Sequence, residues 1–216
     1  MVCGSTVRLG TKGASNAYCK AMTTLYLVRH GNNDFVGGRI AGWLPGVHLN
    51  EEGRAQAERA AELLAGRGIQ ALYTSPLERA QQTAAAIGRK LGLEAQVREN
   101  LGEVRYGEWT GKSFSELDAD PRWKLYNTFR SGTRPPGGES MLDCQRRLVA
   151  EVEWLRERHD GESVAVVSHG DIIRSALLWA LGAGIDCFSR LEVRVGSVSI
   201  VEVADWGCLV KGVNWL

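Results

Sequence analysis

The chain has 216 residues, 26 basic against 25 acidic, and a formal net charge of +1, so no global basic surplus is available for gripping nucleic acid. Hydrophobic residues at 44% and charged residues at 24% exclude wholesale disorder and collagen-like repetition, and no run approaches the ~18 apolar residues of a membrane-crossing helix. The five cysteines (Cys3, Cys19, Cys144, Cys187, Cys208) are odd in number and lack CxxC spacing, which points to a reduced, cytoplasmic chain without a disulfide framework or a zinc site.

Residues 1–21 are rich in Gly, Ser, Thr and Lys, show neither helical nor strand periodicity, and lack the continuous apolar stretch of a secretory signal. They read as a disordered extension, and residues 22–216 as one domain. TLYLVRH reads as a buried strand followed by a long glycine-punctuated loop. Asn50, two acids and RAQAERAAELLA then predict an N-capped helix ending near Gly66. Ile69–Thr74 reads as a second strand. Ser75-Pro76-Leu77-Glu78 has capping-box spacing with proline at the first helical position, and opens a helix to about Leu91.

A short strand near Ala95–Arg98 leads into the loop LGEVRYGEWTGKSF, and one or two short helices follow between Ser115 and Phe129. RSGTRPPGGES is a break. Ser140–His159 reads as a long amphipathic helix, with Glu139 and Ser140 as its cap, SVAVVSHG as a second strong apolar strand, and IIRSALLWALG as its helix. Leu191–Val195, Ser197–Val203 and Cys208–Val213 are three further strand candidates with an antiparallel rhythm. This alternation predicts an α/β fold with a largely parallel sheet and helices on both faces.

Ligands of such sheets bind at the carboxyl ends of the strands. Two histidines fall there, each followed by glycine: His30-Gly31 and His169-Gly170. Taken singly, a structural histidine would be as good a reading; two at matching strand ends favour a shared site. Arg29 precedes His30, and Arg79 stands in the first turn of a helix whose free N–H groups suit an anion. A carboxylic acid is the remaining need, with Glu103, Glu108 and Asp34 as candidates. Two histidines, two arginines and an acid, without metal-spaced ligands, describe phosphoryl transfer. A neutral imidazole attacks phosphorus, guanidinium groups hold the equatorial oxygens, and the acid protonates the departing alkoxide. His48 and His159 read as packing or helix-end residues, and Trp43, Trp109 and Trp123 as aromatics near the pocket. Trp154, Trp179, Trp206 and Trp215 read as core or edge residues, and Pro135-Pro136-Gly137-Gly138 as a rigid turn beside the site.

LVRHG, SPLERAQQTA, LGEVRYGEWTG, PPGGES and VVSHGDIIR, in that order, resemble the histidine phosphatase superfamily, the phosphoglycerate-mutase-like group, from about Leu25 to the end. The resemblance implies a three-layer α/β/α sandwich and a metal-independent phosphohistidine reaction that needs no cofactor. By it, His30 is the nucleophile, Arg29 and Arg79 are phosphate-binding arginines, His169 is the second pocket histidine and Glu103 the proton donor. Asn32, Asn33, Arg39 and Gly170 are implied substrate contacts. The chain departs from the family pattern where Asn33 replaces a usual Thr or Ser, Val36 a usual Asn, and Ala41 a frequent Gln.

The implied activity is hydrolysis of a small phosphorylated metabolite, with no nucleic-acid or membrane partner and a homodimer left open. A cofactor-dependent phosphoglycerate mutase is the alternative, although mutases resembling this family carry a longer insertion than Val104–Ser168 before the second histidine. A non-catalytic phosphate-binding module would not need all five positions filled.

Overall fold

The computed structural model of the chain describes residues 22–216, so the segment expected to be disordered, with Cys3 and Cys19, lies outside the described residues. The strands are β1 (Thr23–Arg29), β2 (Ile69–Thr74), β3 (Ala95–Val97), β4 (Ser163–Ser168), β5 (Val198–Ala204) and β6 (Gly207–Trp215). The helices are α1 (Glu51–Leu64), α2 (Glu78–Leu91), α3 (Phe114–Leu117), α4 (Pro121–Thr128), α5 (Met141–Arg158) and α6 (Gly170–Ala180). They build one sheet of order β3-β2-β4-β1-β5-β6, in which β5 alone runs against its neighbours.

The two apolar runs singled out in the sequence, β1 and β4, are the central pair. Strands covered on both faces need apolar residues at every position, and these divide by parity. Leu25, Leu27, Val164 and Val166 join α5 and α6 residues such as Leu148, Val152, Ile173 and Leu177 in one core. Tyr26, Val28, Ala165 and Val167 join Ala60, Leu64, Ala84 and Ile87 of α1 and α2 in the other. The mostly parallel sheet is therefore sandwiched between two helical layers. No helix among the described residues is long and apolar enough to cross a membrane.

Asn50 caps α1, its side chain accepting from the Gly53 N–H, and Ser140 caps α5 in a reciprocal box with Asp143. Four expectations need correction. Glu139 does not share that cap: its carboxylate takes Arg147 at 2.7 Å and the backbone N–H of Arg105. The Ser75–Glu78 capping box does not form: α2 begins at Glu78 with Leu77 as its cap, Ser75 Oγ accepts from the nearer Leu77 N–H, and Glu78 accepts from the Gly46 N–H. Leu191–Val195 is not a strand either. It has no place in the ladder, and its Val193 carbonyl instead accepts a hydrogen bond from Arg29 Nη1 at 2.6 Å. Trp206, expected in the core or at an edge, sits exposed beside the β5–β6 turn.

Candidate active site

Parallel pairing sets Arg29 of β1 opposite Ser168 of β4. Each strand is followed by its histidine, so the register alone delivers His30 and His169 to one place. Their ring centroids lie 5.1 Å apart at an interplanar angle of 61°. The next strand, β2, is in register with β4 through Thr74 and Val167, and brings Ser75 to the same edge, where Ser75 Oγ is 2.7 Å from His169 Nε2. Gly31 makes the turn after β1 possible: a Cβ on it would lie 2.2 Å from the Gly53 carbonyl oxygen, and one on Gly53 would lie 2.0 Å from that of Asn32. The first turn of α1 thus packs backbone to backbone on the loop carrying His30.

His30 Nδ1 lies 2.7 Å from the Gly31 carbonyl oxygen, which can only accept, so Nδ1 holds the hydrogen and Nε2 keeps its lone pair. Burial, then Arg79 and Arg29, push the pKa of His30 well below its ordinary value. The ring is therefore neutral at physiological pH and nucleophilic at Nε2. His169 is also held neutral, by burial and then by Arg79. Among the described residues the Ser75 hydroxyl hydrogen has no other acceptor than His169 Nε2, so it goes there and leaves Nδ1 as a donor.

Arg79 Nε reaches His30 Nε2 at 3.3 Å, and its Nη2 donates to the Gly42 carbonyl at 2.9 Å. Both Arg79 and Arg29 have pKa values lowered chiefly by burial and partly restored by Glu103. Arg29 Nε, Arg79 Nη1 and His169 Nδ1 are buried without a hydrogen-bond partner among the described residues. Unpaired buried donors are costly, and three of them around one neutral imidazole make a receptor for an oxyanion.

The site opens into a cavity of about 490 Å³ whose wall includes Arg29, His30, Asn33, Arg39, Arg79, Glu103 and Gly170, while His169 is fully buried against His30 and is not part of that wall. The structure thus collects most of the residues named from the sequence. Asn33 Oδ1 accepts from the Phe35 N–H at 3.0 Å, which leaves its amide nitrogen for a ligand. Val36 and Ala41, two of the departures from the family pattern, also face the cavity. Asn32 does not: its side chain is spent on Glu52 at 2.7 Å and on the N–H of Asn33. His48 is exposed and pairs with Gln82, and His159 is buried between Tyr73 and Glu162.

Of the three candidate acids, Glu103 lines the cavity, whereas Asp34 and Glu108 are exposed away from it. Burial, reinforced by Asp171, raises the Glu103 pKa to about 7, so the group is poised to give up and recover a proton near neutrality. Its backbone carbonyl is gripped by Trp43 Nε1 at 2.5 Å and Arg147 Nη2 at 3.0 Å, and its Oε1 accepts from the Val104 N–H at 3.0 Å. The proline–glycine turn braces this loop: the Pro136 carbonyl accepts from the Glu108 N–H, and a Cβ on Gly107 (φ +53°) would meet that carbonyl at 2.1 Å.

Of the remaining wall, sequence reasoning named only Trp123. Phe114, Asp118, Trp123, Asn127 and Arg130 come from the α3–α4 segment, and Asp171 and Arg174 from the first turns of α6. Trp123 and Asn127 share a face of α4 at i, i+4 spacing, and Arg130 follows the helix, which ends at Thr128; Asp171 and Arg174 stood just beyond His169-Gly170. Among the described residues, no cluster of three or more His, Cys, Asp or Glu groups is arranged to hold a metal ion.

Comparison with known proteins gives a consistent picture. A bifunctional protein of Mycobacterium tuberculosis is 38% identical over 197 residues, covering 89% of this chain but 54% of its own length, so the chain spans about half of that relative. A glucosyl-3-phosphoglycerate phosphatase of the same organism is 37% identical over 159 residues, 69% of this chain and 71% of its own. The solved mycobacterial glucosyl-3-phosphoglycerate phosphatase superposes with a TM-score of 0.83 at 28% identity, covering 90% of this chain and 100% of that one. Bacillus stearothermophilus YhfR gives 0.82 at 31%, covering 88% and 95%. The family model of the histidine phosphatase superfamily, branch 1, matches residues 25–216, and the chain belongs to that superfamily.

Proposed function

We propose that the chain is a phosphomonoester hydrolase that acts on a small phosphorylated metabolite through a phosphohistidine. The observation that carries this reading is the neutral His30, lone pair on Nε2, ringed by the unpartnered donors Arg29 Nε, Arg79 Nη1 and His169 Nδ1. In the first step Nε2 forms a bond to phosphorus while the P–O bond to the alcohol breaks. The electron pair leaves with the alkoxide oxygen, which takes the proton of Glu103. In the second step the Glu103 carboxylate removes a proton from water. The water oxygen bonds phosphorus, the N–P bond breaks, and phosphate departs with both His30 and Glu103 restored. The donors around His30 stabilise charge on the equatorial oxygens, and guanidinium geometry matches two of them at once.

Relatives named as glucosyl-3-phosphoglycerate phosphatase support the reading. The free thiols Cys144, Cys187 and Cys208 support a cytoplasmic setting, and the near-zero net charge supports a small ligand over nucleic acid. The test is incubation with p-nitrophenyl phosphate and a panel of sugar phosphates and phosphoglycerates, followed by quenching and peptide mapping. Release of inorganic phosphate with an acid-labile phosphoryl group on the His30 peptide is expected. Equal turnover by His30→Ala would end the assignment, and isomer interconversion without phosphate release would replace the hydrolase by a mutase.

A further inference from the structure

The same cavity carries a second pair of arginines that the reaction above does not use. The Arg130 and Arg174 guanidinium carbons lie 3.9 and 4.4 Å from the centroid of the same ring, that of Phe188, and Arg130 also lies 4.6 Å from that of Tyr126. Stacking on fixed rings removes rotamer freedom from both arginines and turns them into a preset fork. Arg130 is nine-tenths buried. Asn127 Oδ1 accepts from its Nη2 at 2.9 Å, while Arg130 Nη1 and Arg174 Nε are buried with no hydrogen-bond partner among the described residues.

Asp171 stands between the two arginines but does not satisfy them. Its oxygens are 3.8 Å from Arg130 Nη1 and 3.7 Å from Arg174 Nη1, beyond hydrogen-bond reach, and its Oδ2 accepts from Tyr106 O–H at 2.5 Å. Asp118 on the same wall balances the second formal charge, so what the pair offers a ligand is not net charge but directed, unpaired N–H groups on Arg130 and Arg174. All three side chains face the same cavity as His30 and Glu103.

We propose that Arg130 and Arg174, set on Phe188, form a second anion subsite that selects phosphate esters carrying a further anionic oxygen group, a carboxylate or a second phosphate. This rests on the hydrolase reading and adds the substrate class to it. A matched pair of esters isolates the subsite: 3-phosphoglycerate and glycerol 3-phosphate share a three-carbon skeleton and differ by a carboxylate in place of a hydroxymethyl group. Fructose 1,6-bisphosphate against fructose 6-phosphate supplies the second-phosphate arm.

The wild-type chain is expected to favour the better doubly anionic substrate over its partner by at least about tenfold in kcat/KM, the scale of one charge-assisted hydrogen bond. Arg130→Gln and Arg174→Gln are each expected to erase most of that preference while p-nitrophenyl phosphate turnover stays within about threefold. The arm that shows the preference identifies the anion. No preference in either pair, or a proportional loss on p-nitrophenyl phosphate in both variants, overturns the subsite. If Arg130→Gln fails to fold, Arg174→Gln and Arg174→Lys, the latter restoring part of the preference, still decide it. No His30-dependent turnover of any ester would remove the hydrolase reading, and this one with it; turnover of p-nitrophenyl phosphate without the preference removes this one alone.

Discussion

The two ends of the cavity are built by different means. At the end holding His30, the groups around the imidazole follow strand ends, while the acid, Glu103, comes from the loop after β3. Arg29 closes β1, His169 follows β4, Ser75 follows β2, and Arg79 stands one turn further on. The ladder fixes their spacing, and burial fixes their charge state. The other wall comes from two short helices, the break after them and the first turns of α6, and its α3–α4 part is held by rings rather than by a ladder. Trp109 packs against Trp123 and Tyr126 with centroids 5.4 Å apart in each case, and Phe114 stacks on Trp123 at 6.0 Å. The chemistry requires sub-ångström placement at the first end, whereas the second can be repacked without moving a strand.

If this division holds, substitutions at the sheet end cost turnover on every ester. The largest expected effect is His30→Ala, a loss of at least about a thousandfold in kcat that is independent of the alcohol. Arg79→Lys comes next. A lysine keeps the charge but loses the fork that donates to Gly42 and to the oxyanion, so a fall of about a hundredfold is expected in steady-state kcat/KM. Near-normal turnover by this variant would mean that charge alone suffices there and that the fixed geometry is incidental.

Glu103→Gln sharpens the comparison by leaving group. With an alkyl phosphate a loss of about a hundredfold or more is expected. With p-nitrophenyl phosphate, whose phenolate needs no proton, the loss should be slight. An acid with a pKa of about 7 is loaded only below that pH, so kcat/KM on alkyl esters should fall as pH rises through about 7, and the variant should lose that limb. The same group predicts a stability effect that also falls with rising pH. Its folded pKa lies above its unfolded one, so the folded state holds more protons between about 4.5 and 7, and stability drops as pH climbs through that window. Against wild type, Glu103→Gln should be about 1 kcal/mol more stable at pH 8.5 and nearly equal at pH 4.5, discounting for its partial exposure; thermal melts at the two pH values measure it. A variant less stable at both would show that the carboxylate is held by bonds rather than stranded by burial.

The division also explains what the sequence made visible. β1 and β4 are central strands, so their apolar runs are uninterrupted, and their histidines mark the strand ends without ambiguity. Asn50 and Ser140 read correctly because a cap needs only local partners. Ser75 was misread because its tertiary partner outweighed the local one: its hydroxyl serves His169, ninety-four residues away in sequence, and α2 starts later than the motif suggests. Asn32 passed for a ligand contact because the sequence could not show Glu52 and Gln56 closing on it. The family resemblance singled out Glu103 from three acids; the residue types alone did not. Apart from Trp123, the far wall stayed hidden for a plainer reason. α4 mixes polar and aromatic residues around its circumference, so it has no apolar stripe, and Arg130 lies beyond its end among glycines and prolines.

Trp123→Phe gives the smallest expected effect and the most direct comparison with Arg79→Lys, because both are conservative and both touch the same cavity. The phenyl ring can keep the stacked contacts with Phe114 and Tyr126 while it gives up part of the area on Trp109. Core swaps of this kind cost about 1 kcal/mol, and nothing in the chemistry passes through the indole. Turnover of p-nitrophenyl phosphate should therefore stay within about twofold, with KM for larger esters moving by a similar factor as the wall recedes. A collapse of kcat on the small ester would mean that the aromatic wall positions His30 or Glu103 after all, and that the two ends of the cavity are one mechanical unit.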